Sequence, residues 1–246
     1  MLNEPTTEKL QALRLPGMLA AWQEQQRQAD VAGLSFDERF ALLVEAEWLR
    51  RENERLVRHL REAKLRLAQA SLEDVDYSAR RELDRAQIRQ LASGAWIAAH
   101  QHVLITGATG TGKTFLACAL AHQACRHGHR ALYRRVSRLF DELTLARADG
   151  TYARALARLA RADVLILDDF ALAPLDLHQR QDLLEVLEDR TGTRSTIVTS
   201  QLPVAKWHAY VDDPTLADAI CDRLLHNAHR IVLKGPSRRK AEATSE

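Results

Sequence analysis

Long apolar runs are missing from this 246-residue sequence, and the longest strand-like pieces are residues 103–105 and 164–167. Because roughly 20 apolar residues are needed to cross a bilayer, the sequence predicts no membrane-spanning segment. Cysteine is scarce as well: Cys118, Cys125 and Cys221 form a sparse, odd-numbered set, which excludes a disulfide framework. The opening residues lack both the basic start and the apolar stretch of a secretory signal. We therefore expect a cytoplasmic protein.

Aromatic residues make up only 5% of the chain, whereas hydrophobic residues reach 46% and charged residues 28%. This composition indicates a folded protein with a buried core and excludes a chain that is disordered throughout. The net charge of +2 hides a segregation of sign, because residues 126–161 carry nine arginines against three acids. Acids outnumber basic residues in residues 162–233. The arginine-rich stretch 126–161, named here the basic band, indicates either an anion-binding surface or a set of solvated helix faces.

A helix start is predicted near the beginning of the chain. Ser35 and Glu38 have the spacing of an N-terminal capping box, which predicts that a helix begins at Phe36. Phe36, Phe40 and Leu43 recur at helical spacing. We expect this apolar stripe to form part of the core of a small domain.

Periodicity divides the chain into three parts. Residues 6–69 have the pattern of helices, residues 71–95 lack a sustained apolar face, and later residues alternate short apolar runs with helical stretches. The predicted organisation is a helical N-terminal domain, a connector and a larger C-terminal domain, at residues 1–70, 71–95 and 96–246. The apolar runs predict five strands, at residues 102–106, 131–136, 163–168, 195–200 and 229–233. Their alternation with helices predicts an α/β fold with a parallel sheet.

The most specific motif is GATGTGKT at residues 107–114, between a predicted strand and a predicted helix. It matches the phosphate-binding P-loop, in which glycines let backbone N–H groups approach phosphate oxygens. Lys113 would supply a cation to the β- and γ-phosphates, and the Thr114 hydroxyl is placed to bind Mg²⁺. A helix that begins after the loop adds positive partial charge. The motif predicts a nucleotide phosphate site.

Two more strand ends carry polar residues. The apolar strand VLILDDF ends in Asp168, which would reach Mg²⁺, and Asp169, which could deprotonate the attacking water. In a parallel sheet, the strand STIVTSQ would end at the same edge. Ser200 is the candidate for sensing the γ-phosphate or positioning water, and Thr199 and Gln201 remain alternatives.

These motifs, taken together and in order, resemble the IstB-type transposition helper ATPases, which belong with DnaC-like helicase loaders among the AAA+ ATPases. The resemblance is carried by GATGTGKT, LILDDF, LLEVLEDRTGTRSTIVTSQLPVAKWH, DPTLADAICDRLLHNAHRI and LRLPGMLAAWQEQ, and it covers nearly the whole chain. It implies a three-layer P-loop AAA+ fold with a five-stranded parallel sheet. It further implies a small all-helical N-terminal domain and a reduced C-terminal lid.

The resemblance also implies roles for individual residues. Lys113 and Thr114 match the phosphate-loop residues, Asp168 the magnesium ligand and Asp169 the water-activating acid. Ser200 matches the first sensor. The residues expected to contact the nucleotide are Gly107, Ala108, Thr109, Gly110, Thr111, Gly112, Lys113, Thr114 and Phe115.

Several arginines gain roles in the same way. Arg223 matches the arginine finger that enters a neighbouring subunit's site, which implies an oligomer. Arg238 or Arg239 resembles the second sensor. In related ATPases an extra helical element at the position of the basic band lines a DNA-binding surface. The candidates for phosphate contact are Arg134, Arg135, Arg138, Arg147, Arg154 and Arg158.

The resemblance implies an Mg²⁺-dependent AAA+ ATPase that binds ATP and helps the transposase of an insertion sequence. The expected partners are duplex DNA bound largely without sequence preference, the transposase, and further copies of the chain, with no membrane. The main alternative is a helicase loader of the DnaC type. A small-molecule kinase of the P-loop class and a scaffold that binds nucleotide without hydrolysing it are two further alternatives.

Overall fold

The computed structural model describes residues 4–28, 31, 33–78 and 82–237. The chain divides into two compact units, Met1–Arg58 and His59–Glu246. Among the described residues, none of the helices combines the length and the apolar character needed to span a bilayer.

The N-terminal unit consists of helices. Helix α1 spans Glu4–Ala12, α2 spans Pro16–Gln25, and α3 spans Phe36–Ala63 and so continues beyond the unit. The predicted start of α3 is confirmed, because the Ser35 N–H donates to Glu38 Oε2 at 2.8 Å and the Glu38 N–H donates to Ser35 Oγ at 3.3 Å. This reciprocal pair is the capping box expected from the sequence.

Glu47 joins α2 to α3 inside the N-terminal unit. Its Oε2 accepts from the Gly17 N–H at 2.8 Å and from the Met18 N–H at 3.3 Å, at the start of α2. Arg50 and Arg51 donate to the same carboxylate, each at 2.7 Å. These donors, first of all Arg50, lower the pKa of Glu47 to about 2. A buried carboxylate is thus fully compensated and holds the two helices together.

The apolar stripe at the start of α3 differs from the expectation. Phe36 is 77% exposed and Phe40 is 48% exposed, and their rings stack with centroids 6.0 Å apart. The prediction that this stripe lies in the core of a small domain is therefore wrong for its two aromatic members. Helical spacing identified a shared face, but it did not identify where along α3 that face is covered.

The second unit is built around a parallel sheet in the order β2-β3-β4-β1-β5. All pairs of neighbouring strands are parallel. The strands are β1 His102–Gly107, β2 Ala131–Arg135, β3 Val164–Phe170, β4 Ser195–Ser200 and β5 Ala228–Leu233. The five predicted strands and the α/β fold with a parallel sheet are confirmed.

The helices of this unit alternate with the strands. They are α4 Arg85–Ala92, α5 Ala95–Ala98, α6 Lys113–Arg126, α7 Val136–Ala148, α8 Tyr152–Ala160, α9 Leu177–Glu188, α10 Trp207–Val211 and α11 Pro214–Leu225. Within the predicted connector 71–95, α4 buries Ile88 and Leu91. Part of that segment therefore packs as an amphipathic helix, although its periodicity is weak over the whole stretch.

Strand β2 shows how helices cover both faces of the sheet. Leu132 joins the large cluster that includes Leu139 of α7, whereas Tyr133 packs with Cys118 of α6. Because neighbouring strand residues point to opposite faces, α6 and α7 lie on opposite sides of the sheet. The same alternation assigns Arg134 to the α7 side, opposite to Tyr133.

Candidate functional site

The P-loop connects β1 to α6 by a path that requires glycine. Gly107 has φ 152°, and a Cβ there would lie 2.3 Å from the Leu233 carbonyl oxygen. Gly112 has φ 96° and directly precedes the first residue of α6. Any other residue would be strained at these two positions. Glycine therefore allows the chain to turn tightly between β1 and the start of α6.

Lys113 is folded back along this loop. Its Nζ donates to the carbonyl oxygens of Gly107 at 2.9 Å and Ala108 at 2.8 Å, and the residue is only 6% exposed. The ammonium is thus held beside the loop whose backbone N–H groups suit phosphate oxygens. Lysine at this place can neutralise phosphate charge.

Asp168 lies at the centre of the site. It is fully buried near the end of β3 and accepts hydrogen bonds from three hydroxyl groups. The donors are Thr114 Oγ1 at 2.9 Å, Tyr133 Oη at 2.7 Å and Thr199 Oγ1 at 2.5 Å. Burial, and then the Asp168 carboxylate, raise the pKa of Tyr133, which therefore stays a donor.

The donor set around Asp168 suits Mg²⁺. This cation prefers oxygen ligands and is usually held by one or two carboxylates together with phosphates. Thr114 and Asp168 bring a hydroxyl and a carboxylate together beside the P-loop, as the sequence predicts. The chemistry of these residues therefore fits the metal implied by the resemblance.

The backbone of Asp169 has an unusual conformation, which sets the direction of its side chain. Its φ is 59°, and the register between β3 and β4 shifts between Leu167 and Phe170. The Asp169 N–H donates to Thr199 Oγ1 at 3.0 Å. A left-handed conformation is costly for a residue with a side chain and persists only where its surroundings enforce it. Thr199 thus orders both aspartates.

Two arginines accompany the aspartates. Arg135 Nε lies 3.0 Å from Asp169 Oδ2. Arg66 Nη1 lies 3.8 Å from Asp168 Oδ2 and 4.0 Å from Asp169 Oδ2. A hydrogen bond with Tyr133 raises the pKa of Arg66. The two guanidinium groups therefore place positive charge beside the two carboxylates.

A cavity of about 550 Å³ opens at this edge of the sheet. The cavity lies at the carboxyl ends of the strands, where ligands bind in open α/β sheets. Its walls come from the P-loop, from the ends of the strands and from the segment after α3. They include Arg66, Leu67, Asp74, Thr109, Gly110, Gly112, Lys113, Thr114, Phe115, Arg135, Asp169, Leu172 and Gln201.

The model of a family described as IstB-like ATP binding protein matches residues 8–245. The chain belongs to this IstB-like family. An insertion sequence ATP-binding protein of Sinorhizobium fredii, y4pL, is 52% identical over 240 residues, which cover 98% of each chain. The ATP-binding protein of insertion sequence IS1162 from Pseudomonas fluorescens is 51% identical and covers 82% of this chain and 88% of that protein. The relatives are thus ATP-binding proteins of insertion sequences.

Solved structures show the same fold at low identity. The crystal structure of DnaI has a TM-score of 0.58 and 24% identity, and covers 68% of this chain and 92% of that chain. The crystal structure of the DnaC helicase loader has a TM-score of 0.52 and 20% identity, and covers 67% of this chain and 97% of that chain. The IstB-like chain therefore has an AAA+ P-loop fold.

The three candidates at the end of β4 have different surroundings in this IstB-like protein. The Ser200 hydroxyl donates to the Phe170 carbonyl oxygen at 2.7 Å and is fully buried. Thr199 contacts Asp168, and Gln201 Oε1 accepts from Thr109 Oγ1 at 2.7 Å. The structure thus places Thr199 and Gln201, rather than Ser200, in contact with the nucleotide site.

Arg223 lies on α11, outside the walls of the cavity. Its guanidinium donates to Glu188 Oε1 of α9 at 2.7 Å and to the Ala219 carbonyl oxygen at 3.0 Å. Arg238 and Arg239 lie outside the described residues.

The six arginines predicted to contact DNA do not share one surface. Arg134 is 6% exposed, and its Nε donates to Glu142 at 2.9 Å. Burial lowers its pKa. The structure does not place Arg134 where it could contact DNA phosphate. Strand alternation directs its side chain to the α7 side of the sheet, where it is buried.

Two more of the six arginines have partners within the chain. Arg135 pairs with Asp169 at the nucleotide site. Arg147 pairs with the buried Asp182, and its guanidinium lies 3.6 Å from the centre of the Tyr152 ring. The other three, Arg138, Arg154 and Arg158, are exposed.

Sequence reasoning missed two members of the site. Tyr133 could have been found, because β2 is the neighbour of β3 and Tyr133 lies near its carboxyl end. Arg66 carried no signal of its own, since it lies in a polar, arginine-rich stretch that predicts a helix either exposed to solvent or bound to something acidic.

Proposed function

We propose that this protein is an ATP-dependent, DNA-binding helper of an insertion-sequence transposase. In the proposed cycle it assembles on duplex DNA with ATP bound, recruits the transposase and influences the choice of target. ATP hydrolysis then releases or remodels the assembly. The observation that carries the proposal is the cavity in which the P-loop, Asp168 and Asp169 meet, in a chain whose relatives are ATP-binding proteins of insertion sequences.

The residues of the cavity have distinct tasks in hydrolysis. The P-loop N–H groups and Lys113 bind the phosphates, so they position the γ-phosphate and neutralise its charge. Asp169 accepts the proton of the attacking water. When Mg²⁺ is bound through Thr114 and Asp168, it supplies Lewis-acid stabilisation of the phosphate charge.

The ion pair with Arg135 bears on the timing of hydrolysis. In this contact the Arg135 guanidinium occupies Asp169 Oδ2, so that oxygen is not free to accept a hydrogen bond from the attacking water. Turnover therefore requires Asp169 to move away from Arg135, or Arg135 to turn toward another anion. We assign γ-phosphate sensing to Gln201, since its amide lies at the cavity and contacts Thr109 of the P-loop.

Lys113→Ala tests the nucleotide site. We expect it to weaken ATP binding and abolish turnover, because the loop loses its cation. Lys206→Ala is the matched control, since Lys206 is exposed and follows β4 outside the cavity walls. Nucleotide binding and phosphate release are measured for both variants. Full turnover by Lys113→Ala would contradict the assigned site.

Arg223 is proposed to complete the site of a neighbouring subunit. In a single chain it is held by Glu188, so assembly would have to exchange this partner for the nucleotide. Arg223→Ala should bind ATP normally but hydrolyse it slowly. Mixing it with Asp169→Asn should restore part of the activity, since mixed assemblies then contain sites with both groups. No recovery on mixing would contradict a role in trans.

The proposal as a whole is tested by DNA binding. A random duplex is titrated with the protein under three conditions: without nucleotide, with ADP, and with a slowly hydrolysed ATP analogue. Both the affinity and the mass of the bound protein are measured. We expect cooperative, ATP-dependent and salt-sensitive assembly. Binding to a ring helicase rather than to a transposase would instead favour the helicase-loader alternative.

A further inference from the structure

The Arg66 guanidinium lies beside both carboxylates at the end of β3. Its Nη1 is 3.8 Å from Asp168 Oδ2 and 4.0 Å from Asp169 Oδ2. Both distances are longer than a hydrogen bond, whereas Arg135 Nε approaches Asp169 Oδ2 to 3.0 Å. The Arg66 side chain is also 44% exposed. Charge therefore draws this guanidinium to the edge of the sheet, but neither carboxylate fixes it there.

The backbone that carries Arg66 is, by contrast, firmly held. Helix α3 ends at Ala63, and Lys64 has a φ of 51°, a left-handed conformation that ends the helix and turns the chain. Backbone groups of Arg66 and Leu67 then form hydrogen bonds with Cys118, a buried residue of α6. Because α6 begins at the P-loop, the backbone of Arg66 is fixed relative to the phosphate site.

Apolar contacts hold the same segment on α6. Leu65 and Leu72 pack against a buried cluster formed by Ala70 and two residues of α6, Cys118 and Ala119. All of these residues belong to the second unit. A long, exposed side chain on a fixed backbone can exchange partners at little cost, because only its side-chain torsions change.

The position of Arg66 corresponds to the γ-phosphate end of a bound nucleotide. In P-loop enzymes the metal ions and the residue that orients the attacking water both act at the γ-phosphate. Asp168 and Asp169 are the candidates for binding the metal and activating the water, and Arg66 Nη1 lies within 4.0 Å of both. Arg66 also lines the cavity together with Lys113 and Thr114. Its charge is therefore near the phosphate that distinguishes ATP from ADP.

Electrostatics gives the guanidinium a reason to change partners when ATP binds. Thr114 and Asp168 suit Mg²⁺, and a divalent cation at Asp168 repels a guanidinium 3.8 Å from the same carboxylate. The γ-phosphate carries negative charge and can accept two parallel hydrogen bonds from an arginine. Arg66 therefore gains a partner at the phosphate as its attraction to Asp168 weakens.

We propose that Arg66 binds the γ-phosphate of ATP and thereby lets the nucleotide site distinguish ATP from ADP. The inference rests on the proposed function, because it assigns a contact of the nucleotide in the same cavity. Gln201 offers a neutral amide, whereas Arg66 adds a positive charge from the segment after α3. Because this segment is packed on α6, the γ-phosphate should tighten residues 64–72, and ADP should not.

The test is Arg66→Ala in the full-length chain. Dissociation constants for Mg-ADP and for a slowly hydrolysed Mg-ATP analogue are measured by isothermal titration calorimetry. We expect the affinity for the ATP analogue to fall about ten- to a hundredfold, since a hydrogen bond between charged groups is lost, while the affinity for ADP changes by less than about twofold. Arg66→Lys keeps the charge but loses the paired donors, so its affinity for the ATP analogue should be intermediate.

Arg61→Ala is the matched control, because Arg61 is exposed and lies outside the cavity walls. It removes the same charge from a nearby position and should bind both nucleotides as the wild type does. Hydrogen exchange of residues 64–72 supplies a readout that does not depend on turnover. The ATP analogue should slow this exchange in the wild type and in Arg61→Ala, but not in Arg66→Ala, and ADP should not slow it in any of the three.

The outcomes separate this inference from the proposed function. If the wild type binds neither nucleotide, the proposed function fails and the inference fails with it. If the wild type binds both and Arg66→Ala loses affinity for both equally, or for neither, the inference alone is overturned. If circular dichroism shows that Arg66→Ala is unfolded, Arg66→Lys decides: a loss confined to the ATP analogue supports the contact, and an unchanged ratio of the two affinities overturns it.

Discussion

Thr199→Val is the substitution that tests the geometry of the nucleotide site most directly. Threonine and valine have nearly the same shape, so the change removes one hydroxyl without leaving a large cavity. That hydroxyl donates to Asp168 at 2.5 Å and accepts from the Asp169 N–H at 3.0 Å, and Thr199 is fully buried. Two hydrogen bonds at the carboxyl edge of the sheet therefore depend on a single oxygen atom.

The expected cost follows from these two bonds. A buried N–H left without an acceptor costs about 1–3 kcal/mol, and a hydrogen bond to a charged group contributes about 1.5–3 kcal/mol. Because Asp168 keeps the Thr114 and Tyr133 donors, the lower part of each range applies. We expect Thr199→Val to reduce the free energy of unfolding by about 3 kcal/mol. Turnover should fall as well, since the bond that holds Asp169 at its φ of 59° is lost.

Urea unfolding followed by circular dichroism measures the first effect, and phosphate release under saturating ATP measures the second. Thr199→Ser keeps the hydroxyl and should lie within about 1 kcal/mol of the wild type. A Thr199→Val protein whose stability lies within about 0.5 kcal/mol of the wild type, with full turnover, would refute the bridging role.

Three further substitutions test other contacts. Arg135→Gln should raise basal ATP turnover, because Asp169 loses its cation, and a slower variant would contradict the restraining role of the ion pair. Burial lowers the pKa of His102 to about 4, below its ordinary value of 6.5, so the unfolded chain binds the proton first as the pH falls. Stability should therefore drop between pH 6.5 and 4, by up to about 3 kcal/mol, and His102→Gln should flatten this part of the profile of the urea midpoint. Glu47→Gln should destabilise the N-terminal unit by about 2 kcal/mol, measured by hydrogen exchange in α2, because Arg50 and Arg51 lose their charged partner.

The sheet was predictable because its signals are local and strong. Short apolar runs bounded by polar residues predict strands, and GATGTGKT predicts both the turn after β1 and the start of α6. Asp168 follows from the same logic, since parallel strands bring their carboxyl ends to one edge. These features depend on neighbours in sequence or on the order of elements.

The surroundings of the arginines were less predictable. Net charge identified a basic band, but it could not distinguish Arg134, which enters the α7 side, from Arg135, which reaches Asp169. Strand alternation would have separated these two neighbours. Lys64 and Arg130 also line one surface depression, although Lys64 is separated from the band by more than 60 residues. Only the folded chain brings them together.

The exposed faces of α3 show the limit of periodicity. The spacing of Phe36 and Phe40 reveals that they share a helix face, which is a local property. Glu47 lies seven residues after Phe40 and therefore on the same face of α3, where it contacts the start of α2, so this face is covered at Glu47 but exposed at Phe36 and Phe40. Tertiary contacts therefore decided what the pattern left open.

The segment that follows α3 has a consequence for how the protein can be divided into fragments. Arg66, Leu67 and Asp74 form part of the cavity wall, although the periodicity of the chain places the end of the N-terminal domain near residue 70. A protein shortened to begin at residue 71 would keep the P-loop, Asp74 and both aspartates of β3, yet it would lack Arg66 and Leu67 of the cavity wall and, with Arg66, the guanidinium beside Asp168. The nucleotide affinity measured for the shortened protein would therefore differ from the affinity of the complete site in the intact chain.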